Sequence, residues 1–162
     1  MKDKIKVLMA EDTPVFREIF AYHFEHMPDF EVTFVHNGQE AVDALSNAPR
    51  GSFDLILSDV EMPKKCGLTF LEDIHNLEEL AHQKHLPFGF VSGTPELVIS
   101  RFGKSVPVLK KPALLADFID FATYVMQQEG ARPSFPRKTP SLPGEEPGCP
   151  PDSVDLGQAT VG

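Results

Sequence analysis

Phe53-Asp54-Leu55-Ile56-Leu57-Ser58-Asp59 is a short apolar run that stops abruptly at an acid. Its length and its aliphatic content suit a strand buried on both faces, as in a parallel sheet. Working outward, the same pattern recurs. Ile5 to Ala10 is a similar run ending in Glu11-Asp12, Leu86 to Val91 leads into Ser92-Gly93-Thr94, and Val106 to Leu109 leads into Lys110-Lys111-Pro112. Glu31 to Val35 alternates, with Val32 and Phe34 on one side and Thr33 and Val35 on the other, and reads as a further strand.

Between these runs the apolar spacing is helical. Thr13-Pro14 supplies a cap and a first-turn proline before Phe16, Ile19, Phe20, His23, Phe24 and Met27. Asn37-Gly38 reads as a turn before Ala41, Val42 and Leu45. Gly67 precedes Leu68, Leu71, Ile74, Leu77 and Leu80; a short helix runs from Pro95 to Phe102 and is stopped by Gly103; Leu115, Phe118, Ile119, Ala122, Val125 and Met126 mark a last one. Leu114 and Phe121 lie off the main stripe of that last helix, as core residues or as an exposed patch. Five alternating β/α units predict an α/β fold with a doubly wound parallel sheet. The compact size favours the flavodoxin-like (βα)5 order 2-1-3-4-5, with the site outside the carboxyl ends of the strands.

Composition bounds the rest. The chain has 162 residues, 41% hydrophobic and 24% charged, enough for one ordinary domain with length to spare. The formal net charge of -9, with no long Lys/Arg cluster, argues against nucleic acid as the main partner, since phosphate backbones need a basic face. No apolar run is long enough for a signal peptide or a membrane span, so a cytoplasmic protein is expected. After Gly130 the prolines at 133, 136, 140, 143, 147, 150 and 151 punctuate a stretch poor in apolar side chains. The expected organisation is a folded domain over 1–129 and a proline-rich, disordered tail over 130–162. Cys66 and Cys149 make neither a disulfide framework nor a metal motif and read as two unpaired thiols. His75, His82 and His85 flank the third helix and, without converging Cys or Asp, read as surface histidines.

In a parallel sheet every one of those strand ends projects from one edge. With strands one and three adjacent, Glu11, Asp12 and Asp59 converge. Three carboxylates repel unless a cation compensates, and hard oxygen ligands suit Mg²⁺ or Mn²⁺. A carboxylate also serves as a nucleophile toward phosphorus, and transfer then needs positive charge and donors around the phosphoryl oxygens. Lys111 and Ser92 offer these. Singly, an acidic pair after a strand is a turn or cap feature, Ser-Gly-Thr a turn, and Lys-Lys-Pro a solvated loop. Together, in order and each at the same end of its strand, they favour chemistry.

From Ile5 to Gln128 the chain resembles the receiver domains of two-component response regulators, including single-domain chemotaxis regulators. Asp59-Val60-Glu61-Met62-Pro63, the following Gly67 and Leu109-Lys110-Lys111-Pro112 carry the resemblance. It implies a phosphoacceptor at Asp59, Mg²⁺ held by Asp12, Asp59, the backbone carbonyl of Glu61 and Glu11, a Ser switch at Ser92, and a phosphate-contacting Lys111, with Lys110 as the alternative one place away. It implies a phosphorelay signalling protein, self-catalysing only its own phosphotransfer and autodephosphorylation. The donor would be a histidine kinase or histidine phosphotransfer protein. The output would be an unidentified downstream protein, onward transfer, or a phosphorylation-dependent homodimer. Many members carry Tyr or Phe where this chain has Val108, and the span from Ser92 to Lys111 implies a reduced fourth helix. Two other readings compete. One is a haloacid-dehalogenase-like phosphatase, whose second Asp would here be Glu61; the other is a degenerate receiver that binds partners without phosphorylation.

Overall fold

The computed structural model describes residues 3–81 and 83–128. The elements run β1 (Ile5–Ala10), α1 (Pro14–Glu25), β2 (Phe30–Val35), α2 (Gly38–Asn47), β3 (Leu55–Ser58), α3 (Gly67–Leu80), β4 (Phe88–Ser92), α4 (Pro95–Phe102), β5 (Val108–Lys110) and α5 (Leu115–Gln127). All five strands are parallel, as the strand-helix alternation predicts, and their order is β2-β1-β3-β4-β5, the one that the compact size favours. The expected tail over 130–162 lies outside the described residues.

Strand alternation splits the apolar residues into two cores. Leu8, Ala10, Ile56, Phe88 and Phe90 face one side and pack with Ala41 of α2, Leu68, Leu71 and Ile74 of α3, and Val98 of α4. Val7, Met9, Leu55, Leu57 and Val91 face the other side and pack with Phe20 and Phe24 of α1 and Phe118, Phe121, Ala122 and Val125 of α5. The helices therefore cover both faces of the sheet, α2, α3 and α4 on one and α1 and α5 on the other. Phe118 is central to its layer, with ring centroids 5.2 Å from Phe20 and 5.3 Å from Phe24; truncating a buried Phe of this kind costs about 3–5 kcal/mol. Phe121 is core, whereas Leu114 is exposed. Gly89 allows α5 to lie close on β4, because a Cβ there would stand 2.8 Å from Val125 Cγ2 and 2.9 Å from Phe121 Cζ.

Several expectations shift. Asn37-Gly38 is a helix start: Asn37 Oδ1 accepts the Glu40 N–H at 2.8 Å, and Asn37 Nδ2 donates to Glu40 Oε2 at 3.0 Å. This reciprocal cap satisfies donors that a turn would leave open. α4 has eight residues and is the shortest helix, as the short Ser92–Lys111 span implies. Cys66 is buried and engaged in a disulfide, against the reading of two unpaired thiols. Cys149 lies outside the described residues. Among the described residues no helix is long and apolar enough to cross a membrane.

Candidate functional site

The carboxyl ends of β1, β3, β4 and β5 form one edge, and the chain is sewn to itself there. Asp59 N donates to Ala10 O at 2.9 Å, and Lys111 N donates to Ser92 O at 2.9 Å. These bonds carry the strand pairing one residue beyond β3 and β5, so Asp59 and Lys111 are held by backbone rather than by free loops. Gly67 lets the turn after β3 fold back tightly: its N–H reaches Val60 O at 2.8 Å, and a Cβ there would lie 2.0 Å from Asp59 O. No side chain fits in that space.

Glu11, Asp12 and Asp59 converge, with carboxylate oxygens all within 4.8 Å of one another. Glu11 and Asp59 are buried and Asp12 is partly exposed, so Asp12 marks the open side. Lys111 Nζ enters between the two buried acids, donating to Glu11 Oε1 at 2.7 Å and to Asp59 Oδ2 at 2.9 Å. Asp59 Oδ1 accepts the Val60 N–H at 2.7 Å. Lys110 is exposed, so of the two adjacent lysines it is Lys111 that reaches the acids, in keeping with strand alternation.

One lysine does not balance three acids. Burial, then the charge and hydrogen bond of Asp59, push the Glu11 carboxyl up to about 8, only partly offset by Lys111. Burial and the Asp59 charge raise Asp12 as well. Burial works against the charged form of Lys111, but Asp59 and Glu11 outweigh it and raise its pKa. Glu11 Oε2 is buried with no hydrogen-bond partner among the described residues. A pocket of hard oxygens with an unpartnered buried carboxylate oxygen fits a small divalent cation.

Ser92 and Glu61 are joined through Thr94. Thr94 N donates to Ser92 Oγ at 2.9 Å, the two hydroxyls are 3.2 Å apart, and Thr94 Oγ1 donates to Glu61 Oε1 at 3.3 Å. Two further residues escaped sequence reading. Lys111 Nζ sits 4.1 Å from the Phe16 ring centroid, a cation–π contact. Arg17 Nη1 donates to the carbonyls of Glu11 at 2.9 Å and Asp12 at 2.8 Å, clamping the loop that presents both acids. Their only signal is position: both lie in the first turns of α1, immediately after the acidic pair.

A doubly wound parallel sheet with this acid–lysine edge defines a class, and sequence comparison supplies the family. The response regulator receiver domain family matches residues 7–99, and the chain belongs to it. Members are the phosphoacceptor modules of two-component signalling, for which phosphorylation and Mg²⁺ binding are standard. The haloacid-dehalogenase-like reading is thereby set aside. Among curated relatives, a protein-glutamate methylesterase/protein-glutamine glutaminase of Dechloromonas aromatica is 35% identical over 74 residues, 46% of this chain and 20% of that protein. The uncharacterized transcriptional regulatory protein YxjL of Bacillus subtilis is 36% identical over 73 residues, 45% of this chain and 33% of that one. The chain thus spans a fifth to a third of these relatives' length. A CheY-like receiver domain from Methylobacillus flagellatus superposes with a TM-score of 0.61 at 25% identity, covering 76% of this chain and 99% of that one. The Saccharomyces cerevisiae Ssk1 receiver domain, solved with the histidine phosphotransfer protein Ypd1, gives 0.63 at 20% identity over 80% of this chain and 94% of the matched one.

Proposed function

We propose that this chain acts as a response regulator in which Asp59 takes a phosphoryl group from a phosphohistidine donor. The observation that carries the reading is the Asp59 carboxylate held at the strand edge between Lys111 and the Glu11–Asp12 pair. A carboxylate oxygen of Asp59 attacks phosphorus; the P–O bond forms as the P–N bond breaks, and the electron pair stays on the imidazole nitrogen, which takes up a proton. Glu11, Asp12, Asp59 and the backbone carbonyl of Glu61 would hold Mg²⁺, which neutralises charge on the phosphoryl oxygens.

The protein's own groups do the rest. Lys111, already at Asp59, exchanges part of its bonding to a phosphoryl oxygen. Thr94 Oγ1 directs its proton to Glu61, so the Ser92 hydroxyl is left to donate to Thr94 in this state. Turning that proton to the phosphoryl group pulls on the β4–α4 loop and makes occupancy of Asp59 readable elsewhere. Val108 is half-buried against the α4 side of the core, so readout runs through the loop and α4 rather than through an aromatic swing. Catalysis is limited to phosphotransfer onto Asp59 and its hydrolysis. The domain spans 1–129 with residues 130–162 as an appended tail. The site lies in the cytoplasm with its histidine kinase or phosphotransfer protein, and the output is a protein partner, onward transfer or a homodimer.

Intact-mass measurement after incubation with acetyl phosphate and Mg²⁺ tests this. One phosphoryl adduct that requires Mg²⁺ and is missing from Asp59→Asn is the expected result. No adduct at any time point, with a phosphohistidine donor also tried, would favour the degenerate binding module.

A further inference from the structure

At the other edge of the sheet a second ligand-bearing group assembles. His75 and Glu79 are four apart on α3 and share a face. The connection to β4 returns His85 to the same place, so that one donor atom from each of His75, Glu79 and His85 lies within 4.8 Å of the others. The His75 and His85 rings stack with centroids 4.9 Å apart. Spacing alone does not bring these three residues together, because the path of the α3–β4 connection is not legible in it. His82 lies outside the described residues.

We propose that His75, Glu79 and His85 form a second cation site, selective for a borderline transition-metal ion such as Zn²⁺. Two imidazoles and a carboxylate are the donors such an ion prefers, whereas the all-oxygen pocket at Asp59 suits a hard ion. The surroundings support the assignment. Glu78, 5% exposed, accepts the Leu86 N–H at 2.7 Å and stands 3.2 Å from His85 Nδ1. A carboxylate on Nδ1 holds the proton there and turns Nε2 outward as a ligand, the arrangement that orients histidine in metal centres. His85 Nε2 does face the Glu79 carboxylate, at 3.0 Å. The ion would enter between these two groups, with His75 closing in by rotation of its side chain. Glu79 is exposed, so a water completes a tetrahedral set and the site is open to entry. Bound metal would fasten the α3–β4 connection to α3, remote from the strand edge that carries Asp59.

The test is Zn²⁺ titration of the full chain against a chromophoric chelator, with Mg²⁺ in large excess to occupy the oxygen pocket. One Zn²⁺ per chain is expected, weakened at least about tenfold by His75→Ala or His85→Ala and about 10–100-fold by Glu78→Gln. His75→Ala should leave Mg²⁺-dependent phosphorylation unchanged, which separates this site from the proposed acceptor. A second readout needs no variant: Zn²⁺ should shift the ring resonances of His75 and His85 in the NMR spectrum. No Zn²⁺ uptake, undiminished affinity in the doubly substituted His75→Ala/His85→Ala protein, or shifts confined to other histidines would overturn the proposal.

Discussion

Lys111 Nζ stands 2.9 Å from Asp59 Oδ2, although the two residues are 52 positions apart and reach the site on strands that are not neighbours. The contact is fully inside the protein, with about 6% of the lysine and 7% of the aspartate side chain exposed. Removing one partner of a buried pair strands the other. Lys111→Met should therefore cost about 3 kcal/mol in metal-free urea denaturation at neutral pH. Added Mg²⁺ should recover part of that loss, because a cation then meets Glu11 and Asp59 again. An equal loss with and without Mg²⁺ would show that the lysine is needed for packing rather than charge.

Asp59→Asn should act in the opposite sense on the metal-free fold. It keeps the shape, removes the charge that disfavours ionisation of both Glu11 and Asp12, and leaves Lys111 paired with Glu11. Stability should rise by on the order of 1 kcal/mol, while the phosphoryl adduct and most Mg²⁺ affinity are lost. Paired urea curves with and without Mg²⁺ check both. A variant less stable than the parent in the absence of metal would mean that the Lys111–Asp59 contact outweighs the repulsion.

How far the sequence carries can be judged element by element. β1 and α4 have the expected bounds because each is punctuated at both ends, α4 by Thr94-Pro95 and Gly103. β4 and β5 begin two residues later than their apolar runs. Pro87 and Pro107 lack an N–H; each accepts a ladder bond, from Ile56 N and from Phe90 N, but cannot donate one, so regular pairing starts beyond them. Glu11, Asp12, Asp59 and Lys111 were legible because strand ends in a parallel sheet share an edge. Arg17 and Phe16 were not, since their roles depend on how α1 leans back over the loop. The grouping of His75 with His85 depends on a connection whose path no periodicity encodes.

The pH response follows from Glu11. Its carboxyl is pushed up to about 8 in the fold, against an ordinary 4.5. Between those values the folded protein keeps a proton that the unfolded chain has released, so the metal-free fold loses stability as pH rises through that window. The raised Asp12 adds to this with the same sign. Lys111, raised above 10.5, contributes stability that is present throughout the window and lost only at higher pH. Mg²⁺ must displace the Glu11 proton, so its affinity should climb with pH by up to about tenfold per unit and level off above about 8. Calorimetry in buffers of different ionisation enthalpy should show a proton released at pH 7 and almost none at pH 9. Uptake independent of pH would separate Glu11 from the cation.

Gly67→Ala isolates the geometry of the turn from its charge. A methyl group at this position would stand 2.0 Å from Asp59 O and 2.9 Å from Phe90 Cε1, and neither neighbour yields easily. The first is backbone at the end of β3, and the second is a ring packed against Phe88 and Phe102. Relief must come from moving the β3–α3 turn, which carries Asp59 and Glu61 with it. The expected cost is about 3 kcal/mol, as for overpacking a filled core. Phosphorylation should slow as well, even under conditions where the variant remains fully folded, because the acceptor has shifted against Lys111. Circular dichroism for the fold and intact-mass time courses with acetyl phosphate for the rate measure the two effects separately. A variant that is destabilised yet phosphorylated at the parent rate would show that the turn yields at α3 and leaves Asp59 where it is.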